Sequence, residues 1–210
     1  DLRLRWEYYD DIPQDASAAL AGGGENSYFR IRPRLWTEID PMANVTLKLR
    51  GVTEFRRYMQ PGSNKGYSYP DEWALDLGYI DIKKLFGDKL DLRIGRQELA
   101  YGNGLVILEG TPKDGSRTLY FDAIKATWKG IDKTTIDLLG IYNQPENELV
   151  INSQNRDLTG LSSGYNDMTE SGGGIYVMNK SMEMMPFEIY YLFKQEGDWV
   201  SGPATNQVSH

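Results

Sequence analysis

The sequence predicts an all-β fold, namely an antiparallel up-and-down transmembrane β-barrel. Segments in which apolar and polar residues alternate recur at short spacing along the 210 residues, and no window has an apolar stripe of helical period. Short and long connections between these segments follow one another in turn. Aromatic residues are frequent on the apolar faces near the segment ends, where a membrane barrel carries its interfacial girdles.

Nine segments are predicted strands. In chain order they span residues 2–10, 28–40, 45–58, 73–82, 90–101, 119–128, 134–142, 173–178 and 187–193. Most approach the ~9 to 11 residues of a tilted membrane-crossing strand and exceed the ~5 to 6 residues typical of soluble sheets. The fifth alternates only with one extra residue near Gly95, so we predict a β-bulge that brings Arg93, Arg96 and Glu98 to one face.

Alternation assigns an apolar face to each strand. The first strand has apolar residues at every second position from Leu2 to Tyr8, and the second does so from Phe29 to Leu35. The last strand does so from Phe187 to Phe193. The aromatic residues that we place on apolar faces are Trp6, Tyr8, Phe29, Trp73, Tyr79, Tyr101, Trp128, Tyr142, Tyr191 and Phe193.

The connections alternate between short turns and long loops. Short turns are predicted at 40–44, 86–89, 129–133 and 179–186, and long loops at 11–27, 60–72, 102–116 and 143–172. Short periplasmic turns and long outer loops produce this order in a membrane barrel, whereas a soluble sandwich does not require it. The glycines Gly102, Gly104 and Gly172 to Gly174 lack the strand-to-helix context of a phosphate loop and are predicted to be flexible loop residues.

Composition excludes several classes of protein. The net charge of −7 and the pI near 4.9 argue against a general binder of nucleic acid or anionic membranes, so any basic function has to be local. A chain without cysteine has no disulfides or thiolate metal sites, and a mean hydropathy of −0.53 without a long apolar run excludes a helical membrane protein. The carboxylate pairs Asp10–Asp11 and Asp71–Glu72 fall at strand ends, and the only histidine is His210, so we predict no catalytic, metal or cofactor site.

In a barrel, the apolar face of each strand meets lipid and the charged face lines a lumen. Eleven cations and seven carboxylates are assigned to the lumen, which gives it an excess of four positive charges and predicts that it concentrates anions. The cations are Arg3, Arg5, Arg30, Arg32, Arg34, Lys48, Arg50, Arg56, Arg93, Arg96 and Lys125, and the carboxylates are Glu7, Glu38, Glu54, Asp76, Asp91, Glu98 and Asp122.

The arginines raise a problem of repulsion. The first three strands would place Arg3 and Arg5, then Arg30 to Arg34, then Lys48 and Arg50 side by side, and like charges that face each other destabilise a sheet. Carboxylates of the same face could offset this by forming ion-pair ladders that only hold the wall. An anionic ligand is the other solution, because guanidinium groups bind carboxylates in bidentate fashion.

Two alternatives stay open on the residues alone. One is a soluble or surface β-sandwich that binds acidic glycans on its arginine-rich face without transport, since sandwich strands also alternate. The other is a barrel in which the arginine ladder is structural, so that the protein acts as an anchor or as a porin for neutral solutes.

Three stretches resemble a known family. FRIRPRL at 29–35, LRIGRQELAYG at 92–102, and DGSR at 114–117 followed by FDAIK resemble the alginate-export porins of the bacterial outer membrane. The resemblance implies a monomeric barrel of eighteen strands that conducts a polyuronate through an arginine-rich constriction, and it nominates Arg30, Arg32, Arg34, Arg93 and Arg96. It also implies anionic polysaccharide and outer-membrane lipid as partners, with periplasmic export components as a further candidate and no nucleic acid.

Nine strands are half of the eighteen that the resemblance implies. Half a barrel would leave two unpaired strand edges in lipid, which is not viable. We therefore expect residues 1–210 to form a single, incomplete outer-membrane barrel domain of a longer protein.

Overall fold

The computed structural model describes residues 1–9, 26–60, 66–68, 73–107, 120–144, 150–151, 169–182 and 185–196. The described residues form twelve strands, one helical turn (α1, Leu85–Asp88) and one 3-10 turn (Gly102–Gly104). The strands are β1 Leu2–Tyr9, β2 Asn26–Met42, β3 Val45–Val52, β4 Phe55–Gln60, β5 Gly66–Ser68, β6 Trp73–Lys84, β7 Leu90–Gln97, β8 Phe121–Ile131, β9 Thr134–Asn143, β10 Val150–Ile151, β11 Glu170–Asn179 and β12 Phe187–Glu196. The DGSR motif at 114–117, the pairs Asp10–Asp11 and Asp71–Glu72, and His210 lie outside the described residues.

All twelve strands belong to one antiparallel sheet. Neighbours run in the order β1, β2, β3, β6, β7, β8, β9, β11 and β12, with β4 also on β2, β5 on β4 and β10 on β6. The all-β antiparallel prediction is confirmed. In the described part of the chain β1 and β12 do not pair with each other, so the sheet is open and closure into a barrel stays a prediction.

The predicted strands correspond to the observed ones with small changes at their ends. The predicted segment 45–58 is divided into β3 and β4, and both pair with the 17-residue β2 in the same register on the two sides of the gap, with a register shift near each end of β2. The gap falls at Thr53 and Glu54, beside Pro33 of β2, and proline has no amide hydrogen for a ladder bond. Gly172 to Gly174 all lie within β11, so the strand predicted at 173–178 is confirmed and the interpretation of these glycines as loop residues is wrong.

The predicted β-bulge at Gly95 is also wrong. Gly95 pairs with Tyr79 on one side and Ala123 on the other, with no register shift in either ladder of β7. A bulge lies instead in β6, where Arg50 pairs with Leu77 and Gly51 pairs with Leu75, so that Asp76 is the extra residue. The bulge lets Asp76 and Asp81 bind arginines of the same face although five positions separate them.

Gly95 contributes through its backbone conformation. Its φ of 120° is one that L-residues rarely adopt, and an added Cβ would overlap the carbonyl oxygen of Gly78 on β6. We expect Gly95→Ala to lower the free energy of unfolding by about 2 kcal/mol or more, because strain and steric overlap add. Urea titration of the folded protein in detergent measures this.

Gly140→Ala is the matched control for Gly95→Ala. A Cβ at Gly140 meets nothing within 4 Å, and Gly140 has no positive φ. The control should change the free energy of unfolding by less than about 1 kcal/mol. An increase is expected, because alanine lowers the conformational entropy of the unfolded chain. Equal losses in both variants would contradict the role given to Gly95.

The two faces of the sheet differ in burial, and the difference is the reverse of that in a water-soluble protein. The charged face is the more buried one, with Arg32 at 5%, Asp76 at 0% and Asp137 at 4% exposure. The apolar face is the exposed one, with Leu35 at 72%, Leu4 at 66% and further apolar residues along every long strand. Two aromatic residues depart from the prediction: Tyr79 and Tyr101 are buried and do not lie on the exposed apolar face.

An apolar cluster lies on the charged side of the sheet. Its buried members are Leu99, Tyr101, Ala123, Leu139 and Tyr176. They come together because residues 98–107, which follow β7, fold back over β8, β9 and β11. No helix in the described part of the chain is long and apolar enough to cross a membrane.

Candidate functional site

The charged face is the candidate site, and β2 shows how the sequence builds it. Strand alternation turns Arg30, Arg32 and Arg34 to one side while Phe29, Ile31 and Leu35 point to the other. Arg32 is 5% exposed and Leu35 is 72% exposed, so the two sides of one strand have opposite environments. The guanidinium groups therefore lie among other polar side chains, whereas the apolar side chains of the same strand are exposed on the other face.

Six arginines of β1, β2 and β4 form what we call the arginine band. The members are Arg3, Arg5, Arg30, Arg32, Arg34 and Arg56. The register pairs Arg3 with Arg32, Arg5 with Arg30, and Arg30 with Arg56. The predicted juxtaposition of the first two strands is confirmed, but Lys48 and Arg50 do not continue the band, because they pair with Glu38 and Trp36.

Two carboxylates lie within the arginine band. Arg30 contacts both of them, with Nη1 3.2 Å from Glu7 Oε1 and Nε 3.3 Å from Glu54 Oε1. The hydroxyl of Tyr28 donates to the second oxygen of Glu7 at 2.6 Å, and the Arg56 guanidinium lies over the Tyr28 ring, 5.1 Å from its centroid. Among the described residues the band thus holds six cations and two carboxylates, a strong local excess of positive charge.

Five cations outside the band are matched by carboxylates. Arg50 donates to Asp76 Oδ1 at 2.9 Å and also to Glu98. Arg93 and Arg96 are bidentate, Arg93 on Asp81 at 2.6 and 2.8 Å and Arg96 on Asp122 at 2.9 Å for both bonds. Lys48 lies 3.3 Å from Glu38, and Lys129 pairs with Asp91. In this region the geometry agrees with the structural alternative, in which ion pairs between neighbouring strands only stabilise the wall.

Lys125 was predicted for this face, and it lies next to the Arg93 pair. It pairs in register with Arg93 on β7 and with Leu139 on β9. Of the predicted site residues, the structure therefore groups Arg30, Arg32 and Arg34 in the band. It places Arg93, Arg50, Lys48 and their carboxylates in the balanced region, with Lys125 beside Arg93. Because β7 and β8 alternate without a bulge, Arg96 and Asp122 lie on the opposite face from Arg93 and Ala123, so the prediction that Arg93 and Arg96 share a face is wrong.

Sequence reasoning missed two carboxylates of the charged face, Asp81 and Asp137. The bulge at Asp76 hid Asp81, since simple alternation puts it opposite Asp76. Asp137 accepts hydrogen bonds from the hydroxyls of Tyr101 and Thr127, both at 2.6 Å, and it is the only charged residue of β9. Both lower the excess of positive charge predicted for this face, and what remains of it lies mainly in the arginine band.

Residues 98–107 cover part of the charged face. The Tyr101 ring lies 4.4 Å from that of Tyr176, and the Tyr101 amide donates to the Ile107 carbonyl at 2.8 Å. Burial and the adjacent Asp137 carboxylate raise the pKa of Tyr101, which lies beyond the end of β7. Beside this segment is a cavity of about 570 Å³, and Lys125, Asp137 and Glu188 are among the residues that line it.

The described residues include no group of three or more histidine, cysteine, aspartate or glutamate side chains placed to hold a metal ion. Comparison of the chain with protein-family models and with curated proteins gives no match. The resemblance to alginate-export porins therefore rests on the three sequence stretches alone.

Proposed function

We propose that this chain forms part of the wall of an outer-membrane β-barrel channel that conducts an anionic polysaccharide, an alginate-like polyuronate or its oligomers. The observation that carries the proposal is the inverted burial of the sheet, with charged side chains covered and apolar side chains exposed. A protein in water would do the reverse, because exposed apolar area costs roughly 25 cal/mol per Å². Lipid around the sheet removes that cost.

The single sheet also favours a barrel over the sandwich alternative. A sandwich packs two sheets face to face and covers the apolar face of each. Here the described strands form one sheet, and the apolar side chains of β1 and β2 are exposed, with Leu2 at 62%, Trp6 at 63% and Phe29 at 43%. Nothing in the described chain packs on them as a second layer.

Anion transport is inferred from the arginine band. Guanidinium groups in a fixed row match the carboxylates of a polyuronate, whose charges repeat along the chain. Glu7 and Glu54 bind Arg30 in the absence of such a ligand and would compete with it. This competition keeps each contact weak, and a conducted ion has to leave each site as readily as it enters.

A channel of this kind has an expected location and expected partners. The channel would lie in the bacterial outer membrane as a monomer, with lipid on its apolar face, polysaccharide on its charged face, and periplasmic export components as a further candidate partner. It needs no catalytic residue and no cofactor, because selectivity arises from charge alone.

A second candidate function has a specific observation in its favour. The pairs Arg93–Asp81 and Arg50–Asp76 of the charged face bind their guanidinium groups to protein carboxylates, as expected of a wall that does not bind anions. A porin for neutral solutes, or a membrane anchor, would need only such pairs. The arginine band, with its excess of cations, is what favours the anion channel.

Conductance measurements test the proposed function. The full-length protein is inserted into planar bilayers, and reversal potentials are recorded under a potassium chloride gradient. We expect anion preference, and current block by oligouronates but not by neutral oligosaccharides of equal length. Cation preference, equal block by both sugars, or no conductance at all would contradict the proposal.

A further inference from the structure

The short turns of the sheet lie together along one edge, which we call the short-turn rim. It comprises the turns that join β2 to β3, β6 to β7, β8 to β9 and β11 to β12. Backbone hydrogen bonds join three neighbouring pairs of turns: Lys83 N to Asn44 O at 2.8 Å, Lys129 N to Lys89 O at 2.7 Å, and Lys180 N to Lys133 O at 2.9 Å. The rim is therefore one continuous surface.

Lysine is concentrated on the short-turn rim. Six exposed lysines lie there: Lys83, Lys84, Lys89, Lys129, Lys133 and Lys180. The aspartates of the same rim are Asp40, Asp88, Asp91 and Asp132, and the sequence between β11 and β12 adds Glu183. Two of these are already engaged, since Asp91 accepts from Lys129 Nζ and the Lys84 amide, and Asp40 accepts from Thr46 Oγ1 at 2.7 Å. The described arginines all lie in the wall strands β1, β2, β3, β4 and β7, away from this rim.

Large apolar side chains are exposed on the same rim. Phe86 is 77% exposed, Met42 65%, Ile131 53%, Met182 48% and Met185 63%. Exposed hydrocarbon next to ammonium groups on flexible stems is the pattern of a membrane interface, where the stem lies along the apolar region and the charge reaches the headgroups. A soluble acidic partner would account for the lysines but not for the five apolar side chains beside them.

We infer that the short-turn rim binds the headgroups of anionic phospholipids. The lysines supply the charge complementarity, and the exposed apolar residues place them at headgroup level. The net charge of −7 argues against a chain that binds anionic membranes generally, so the attraction has to be local to this rim. This inference goes beyond the proposed channel function and rests on it only in that the wall is embedded in lipid.

Spin-labelled lipids test the inference. Full-length protein is reconstituted in phosphatidylcholine vesicles that contain a trace of spin-labelled phosphatidylglycerol or spin-labelled phosphatidylcholine, and electron paramagnetic resonance gives the relative association of each with the protein. We expect about a three-fold preference for phosphatidylglycerol, which falls towards one-fold in high salt. The rim variant Lys84→Gln, Lys89→Gln, Lys133→Gln, Lys180→Gln should lose most of this preference at low salt.

A control variant removes the same number of cations from the long connections predicted from the sequence: Lys65→Gln, Lys113→Gln, Arg117→Gln and Arg156→Gln. It should keep the preference of the unmodified protein. A preference near one in the unmodified protein, an unchanged preference in the rim variant, or an equal loss in the control overturns the inference. Displacement of labelled phosphatidylglycerol by a soluble oligouronate would assign the rim to polysaccharide and also overturns it.

Conductance of the same vesicles separates the two proposals. Normal anion conductance without lipid preference counts against the rim alone. A clear, lysine-dependent lipid preference without any conductance counts against the channel alone.

Discussion

Arg30→Gln and Arg32→Gln, together, are expected to abolish or reverse the anion preference of the channel. A unit charge contributes about 1–2 kcal/mol to an ion 8–15 Å away at an effective dielectric constant of ~20, so two charges change the permeability ratio by roughly ten-fold or more. Loss of Arg30 also leaves Glu7 with Arg5 and Glu54 with Arg56, so both carboxylates are less compensated and repel anions more strongly. Reversal potentials in a potassium chloride gradient measure the change.

Arg57→Gln is the matched control for a single Arg30→Gln change. Arg57 is on β4 next to Arg56, and its register partner is Phe29 on the apolar side of the sheet. Arg57→Gln removes the same charge as Arg30→Gln but on the opposite face of the sheet, so the anion selectivity of the channel should change very little. If Arg30→Gln and Arg32→Gln leave selectivity unchanged while they lower stability, the arginines are structural and the neutral-solute channel is correct.

Asp76→Asn is expected to cause the largest loss of stability. Asp76 is fully buried and binds Arg50, whose side chain is 14% exposed, so the change leaves a largely buried guanidinium with Glu98 alone. Breaking a buried pair by removal of one partner costs about 3–5 kcal/mol, and the remaining Glu98 contact places the expected cost near the lower end. Urea titration in detergent, with refolding yield as a second readout, measures this.

Two comparisons identify the cause of that loss. Asp91→Asn removes the same charge from an exposed pair with Lys129, which is 48% exposed, and should cost less than about 1 kcal/mol. The double variant Asp76→Asn, Arg50→Met removes both charges and should recover much of the stability. A double variant no more stable than Asp76→Asn would show that packing, and not the uncompensated cation, is responsible.

The sequence predicts the two-sided strands well because alternation is a local property. Phe29 to Leu35 and Arg30 to Arg34 occupy opposite faces of β2 as predicted, and the nine predicted segments all correspond to strands. Local pattern also fixes where the short turns lie, since Asn44 and Lys133 both adopt a positive φ between adjacent strands.

What the sequence did not predict depends on contacts between distant residues. The bulge at Asp76 exists where Arg50, 26 positions away, can bind its carboxylate, whereas Gly95 had the residue type expected of a bulge and does not form one. Gly172 to Gly174 resemble a loop by composition, but in β11 all three lie against the backbone of a neighbouring strand. Gly173 lies beside Leu139 of β9, and Gly172 and Gly174 lie beside Phe193 and Tyr191 of β12. Alternation in the sequence assigns Tyr101 to the apolar face. The structure differs because residues 98–107 fold inward and pack against distant strands, and the local sequence does not show such contacts.

The length of β2 has a consequence for how the arginine band would respond to salt. The outward-pointing residues of β2 from Phe29 to Ile39 are apolar except Thr37, and these eleven positions span the height of a bilayer's hydrocarbon layer for a tilted strand. In the proposed barrel Arg30, Arg32 and Arg34 are therefore at the depth of the acyl chains rather than at the mouth. Mobile counterions screen fixed charges least at that depth, so selectivity should persist at ionic strengths that would cancel the attraction of a surface patch.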